Sequence, residues 1–114
     1  GAILNMKGGI AMEELEISLM QIISYSGEAR SLCFEALQSY RDGDKEAGRK
    51  QYKDAEENLY TAKRAHSRIL KQSANGEFDQ ISLLMVHAED QMMASEIIYQ
   101  MTRELFHCMS ETKG

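Results

Sequence analysis

The chain contains no proline and no tryptophan, two cysteines, five tyrosines and three phenylalanines in 114 residues. Without proline, no position forbids a helix, so long uninterrupted helices are open to it. The abundance of Ala, Leu, Met, Glu, Lys and Gln favours them, which predicts an all-α chain. No apolar run approaches the roughly 18 residues of a membrane-spanning helix. Basic residues are in deficit, 13 against 18 acidic, for a formal charge of −5. That balance argues against nucleic acid and favours a basic protein partner. Cys33 and Cys108 stand apart in no metal-like spacing and read as packing residues in a reducing compartment rather than a disulfide. There is no glycine-rich phosphate loop, no Ser/His/Asp ordering and no basic-aromatic patch. The first eleven residues, GAILNMKGGIA, lack the charged, apolar and cleavage regions of a secretory signal. Residues 1–11 read as a loose N-terminal tail of the kind an expression vector leaves, with Met12 as the natural start. Residues 12–114 form one small domain, and the expected setting is the cytoplasm.

What the chain does have is helical periodicity. Over residues 12–41 the apolar positions Leu15, Leu19, Ile22, Ile23, Ala29, Cys33, Ala36, Leu37 and Tyr40 recur at helical spacing. Gly27 interrupts them at a cost of about 1 kcal/mol relative to Ala, which predicts close approach of another backbone or a ligand there. Asp42-Gly43-Asp44 closes the run, Gly43 suiting a left-handed C-terminal residue and Asp44 the next N-cap. A second helix over residues 45–72 buries Tyr52, Ala55, Leu59, Ala62, Ala65 or His66, and Ile69. Its many Lys and Arg read as a solvated face with pairs such as Glu46–Lys50. Ser73-Ala74-Asn75-Gly76 is the second turn, Asp79 the next N-cap, and the third helix runs over residues 80–109. Short connections make neighbours antiparallel, so the expected fold is an up-down-up three-helix bundle.

The third helix has more apolar surface than such a bundle uses. On a wheel at 100° per residue, Ser82, Glu89, Glu96, Gln100 and Arg103 make one narrow polar stripe, and nearly everything else is apolar. The spare face predicts self-association, along a heptad-like seam of Leu83, His87, Asp90, Ala94, Ile97 and Met101. His87 and Asp90 are anomalous on that seam, because each needs a partner or a purpose there. A lone His on an apolar face is often a satisfied core residue, and Asp90 at i+3 could orient it. Where copies meet, like carboxylates must share protons, sit apart or bind a cation, and a hard ion such as Mg²⁺ would suit them. The Met-rich run Met85, Met92, Met93 and Met101 reads as core filler. His66 and His107 have no acidic or thiol company at ligand spacing.

The segment LLMVHAEDQMMAS, residues 83–95, closely resembles the active-site segment of enzyme IIA proteins of the lactose/cellobiose class of the sugar phosphotransferase system. A second match, IISYSGEARS at residues 22–31, meets the family's SGxARS pattern in the first helix. The YRDGD turn at residues 40–44 and the helix lengths fit as well, so the resemblance covers residues 12–111. It implies a cytoplasmic three-helix bundle assembled as a homotrimer. It further implies a phosphotransferase component whose histidine, His87 here, takes a phosphoryl group from phospho-HPr and passes it to a cysteine of enzyme IIB. From there the group reaches a β-linked disaccharide crossing the membrane through enzyme IIC. Asp90 maps onto the family's aspartate associated with one magnesium ion shared on the trimer axis. Many members carry His at the next position; Gln91 stands there, and with Gly27 it is a candidate for phosphate or partner contact.

The chemistry suits these residues. Neutral imidazole is a competent nucleophile near neutral pH, and transfer from one phosphohistidine to another asks mainly for positioning and charge stabilisation. Asp90 would repel a phosphoryl group if it faced His87, so its sensible direction is the axis. Rival readings are a histidine phosphotransfer domain of two-component signalling, and a non-enzymatic helical interaction or metal-binding bundle.

Overall fold

The computed structural model describes the backbone of residues 2–78 and 80–111 and the side chains of residues 13–78 and 80–110. Three helices, α1 (Ala2–Arg41), α2 (Lys45–Ala74) and α3 (Leu83–Glu111), account for nearly all of it, with no strand among the described residues. The bundle is up-down-up. Ser39 meets Gln51 and Gln21 meets Arg68, so α1 and α2 are antiparallel. Lys63 meets Glu96 and Tyr52 stacks on Tyr99, so α2 and α3 are antiparallel too. α1 and α3 therefore run in the same direction, Ser26 level with Ser95 and Tyr40 with Ser110.

The periodicity places the core correctly. Leu15, Leu19, Ile22, Ala29, Cys33, Ala36 and Tyr40 of α1 are buried, as are Ala55, Leu59, Ala62, Ala65 and Ile69 of α2. From α3 come Ala88 and Met92, with the polar Ser95 and Thr102. The first turn forms as expected: Gly43 has φ +92°, and the Asp44 carboxylate caps α2 by accepting from Ala47 N at 3.1 Å. Gly76, with φ +72°, closes the second turn.

Three expectations change. α1 is helical from Ala2, through the stretch read as a tail. Extending an existing helix needs no new nucleus, and each added residue gains a hydrogen bond. α3 starts at Leu83 rather than residue 80, because Ser82 is its cap. Ser82 Oγ accepts from Met85 N at 3.2 Å, and Ser82 O accepts from Val86 N at 3.2 Å. Asp79, the expected cap, lies outside the described residues. The Glu46–Lys50 pair does not form; charge pairs across helices among the described residues include Lys63–Glu96 at 2.6 Å and His66–Glu89. The polar stripe of α3 thus faces α2.

Candidate functional site

Ser82 sets the register of the site, since starting α3 at Leu83 puts His87 in its second turn. Ala88, Met92, Ser95 and Thr102 take the burial against α1, and this turns the opposite face outwards. All six seam residues are consequently exposed on the single chain, Leu83 at 85%, Ile97 at 59% and Met101 at 55%. Val86 and Met93 extend the same exposed surface. The imidazole of His87 and the carboxylate of Asp90 lie on it without a hydrogen bond or ion pair to any described residue. His87 is not a satisfied core residue, and Asp90 does not orient its ring.

Gln91 belongs to a network the sequence reading missed. Arg30 Nη1 donates to Gln91 Oε1 at 3.0 Å and to Ser95 Oγ at 3.2 Å, and the Ser95 hydroxyl donates to Ser26 O at 2.8 Å. The signals were present: Arg30 lies in the SGxARS match, and His87, Gln91 and Ser95 follow one another at i+4. Gly27 sits one turn before Arg30. A Cβ added there would meet only Arg30 Nη2, at 3.8 Å, so no packed backbone demands the glycine. The glycine that packing does demand is Gly48 of α2, where an added Cβ would stand 3.0 Å from Ala36 O.

His66, read as lacking acidic company, meets Glu89 of α3. The partner comes from the fold and could not be found by spacing along the chain. The pair borders a cleft of about 330 Å³ lined mainly by apolar side chains, among them Leu19, Ile22, Ile69 and Met85. No group of three His, Cys, Asp or Glu suited to a metal occurs among the described residues of one chain. A shared ion would need carboxylates from more than one copy.

Cys33 is fully buried and Cys108 exposed, and the two are unbonded. Burial pushes the Cys33 thiol up, against a weaker opposing hydrogen bond to Thr102, so it is a poor nucleophile. At the far end Tyr52 stacks on Tyr99 with ring centroids 4.8 Å apart, and Tyr99 donates to Glu56 Oε2 at 2.5 Å. Burial raises the phenols of both tyrosines, and for Tyr99 the Glu56 hydrogen bond adds to it.

Known proteins resemble this chain in sequence and fold. The family model described as the lactose/cellobiose-specific IIA subunit of the phosphotransferase system matches residues 17–110. The lichenan-specific phosphotransferase enzyme IIA component of Bacillus subtilis is 35% identical over 105 residues, covering 90% of this chain and 96% of that protein. The N,N′-diacetylchitobiose-specific IIA component of Escherichia coli K12 is 31% identical over 102 residues, covering 90% and 88%. The crystal structure of the cellobiose-specific enzyme IIA from Bacillus anthracis superposes with a TM-score of 0.81 at 29% identity, covering 88% of this chain and 94% of that one. No helix among the described residues is long and apolar enough to cross a membrane. With matching helices, matching length and a family model spanning most of the sequence, this chain belongs to the lactose/cellobiose-specific IIA family of the sugar phosphotransferase system.

Proposed function

We propose that the chain is a phosphoryl carrier, accepting phosphate from phospho-HPr on His87 and passing it to a cysteine of enzyme IIB during uptake of a β-linked disaccharide. The observation that carries this reading is the exposed, uncommitted imidazole of His87 at the start of α3. In the accepting step a neutral His87 nitrogen attacks phosphorus, and its new P–N bond replaces the P–N bond of the donor. The donor imidazole leaves with the electron pair of the broken bond. Each ring keeps the proton on its other nitrogen, so no base is required. Transfer to the IIB thiolate repeats the exchange with sulfur as nucleophile. The side chains of this carrier need never touch sugar, and selection falls to enzyme IIC.

The exposed seam belongs, in the same reading, to a homotrimer built around α3. Asp90 is exposed, unpaired and on the seam, and carboxylate oxygens suit a hard cation, so three copies could hold one Mg²⁺ between them. Bound there, the ion would neutralise the mutual repulsion of the carboxylates.

Incubation with phosphoenolpyruvate, enzyme I and HPr should give an acid-labile, alkali-stable phosphate on the wild-type chain and none on His87→Gln. An unlabelled wild type, or a labelled variant, refutes the carrier reading. Asp90→Leu should preserve or strengthen association in sedimentation, because it removes both the repulsion and the need for a cation. A folded but monomeric Asp90→Leu would show that the carboxylate holds the assembly by other means.

A further inference from the structure

Arg30 is an unusual cation in this fold. It is half-buried, reaches from α1 to α3, and pairs with no carboxylate among the described residues. Its neighbours are instead two neutral oxygens, Gln91 Oε1 and Ser95 Oγ. A guanidinium has only donors, so the end of the Gln91 amide that meets it must be the carbonyl. The same bond therefore fixes the opposite end. The two N–H groups of Gln91 point away from Arg30 and have no hydrogen-bond partner among the described residues. Ser95, anchored in turn to Ser26 O, keeps Arg30 from swinging off. Gln91 lies at i+4 from His87, where β-carbons are neighbours at about 6 Å.

We propose that Arg30 is a positioning residue for phosphoryl transfer at His87: it holds the Gln91 carbonyl so that the Gln91 amide presents its N–H groups as donors to the phosphoryl group. The inference rests on His87 being the acceptor. A freely rotating amide would offer its carbonyl oxygen to the phosphoryl oxygens part of the time, which repels. A fixed one offers donors before the charge arrives, and such preorganisation is what lowers a barrier.

The test is the rate of phosphate acceptance from phospho-HPr by the intact chain. Gln91→Met removes the donors without adding charge and should lower kcat roughly 10- to 100-fold, the range of one hydrogen bond to a charged group, with KM for the donor little changed. Arg30→Met should do the same, and Arg30→Lys should recover most of the loss because an ammonium still donates to the carbonyl. The double variant Arg30→Met/Gln91→Met should be no slower than the slower single one. A wild-type kcat in Gln91→Met, additive losses in the double variant, or losses confined to KM overturn the inference. Should Arg30→Met not fold, kcat of Gln91→Met decides alone. Failure of the underlying reading is distinct, since the wild-type chain would then take no phosphate.

Discussion

The two ends of the bundle are built on opposite plans. Around Tyr40, Tyr52, Tyr99 and Phe106 the side chains pack on one another: rings stack at 4.8 Å, Tyr40 Oη is 2.7 Å from Ser110 Oγ, and Gly48 brings α2 against the backbone of α1. Around His87 the reverse holds. Ile81 and Leu83 are 80% and 85% exposed, His87 and Asp90 are unpaired among the described residues, and a Cβ at Gly27 would touch only the end of the Arg30 side chain. The difference teaches that the His87 end confines its packing to an inner core of Leu19, Ile22, Ile69 and Ala88 and leaves its outer face uncommitted.

Phe106→Ala breaks that comparison most severely. It should cost about 3 kcal/mol, in the usual range for losing a packed aromatic, read as a lower denaturant midpoint, while the folded fraction still takes phosphate at the wild-type rate. A loss of acceptance in fully folded protein would mean that the two ends are coupled. Gly48→Ala comes next, expected to cost about 1–3 kcal/mol because the methyl group would press on Ala36 O. Gly27→Ala should instead stabilise by up to about 1 kcal/mol, since the site is helical and roomy. Any fall in transfer rate in that more stable variant measures the clearance a partner needs.

The smallest expected effect is alkaline. The Tyr52 and Tyr99 phenols are raised in the folded chain, whereas in the unfolded chain they ionise near pH 10. Below about pH 10 their contribution to stability is complete, and it declines above that pH as the unfolded state releases protons the folded state keeps. Cys33, raised in the same way, begins its decline about one pH unit earlier. Denaturant midpoints at pH 9 and pH 11 should therefore differ more in the wild type than in Tyr99→Phe.

Much of the fold was legible because burial in a bundle repeats every 3.6 residues. Leu15, Leu19, Ile22, Ala55, Leu59 and Ile69 declare themselves by spacing, as Gly43 and Asp44 do by chemistry. The spare face of α3 was legible for the same reason, and all six predicted seam residues are exposed. What was not legible depends on lateral neighbours. Glu89 meets His66 across a helix pair, and Arg30 finds Gln91 sixty-one positions away. Gly48 looks like any helix glycine until Ala36 O is seen beside it. The start of α3 was misplaced because capping rests on a single hydroxyl, which periodicity does not register.

The exposed seam has a thermodynamic consequence. A second copy covering Leu83, Ile97 and Met101 would bind the folded chain and not the unfolded one, and so would draw the folding equilibrium forward by mass action. The melting temperature then becomes a function of how much cover is present. Dilution, which leaves every bond within the chain untouched, would lower it.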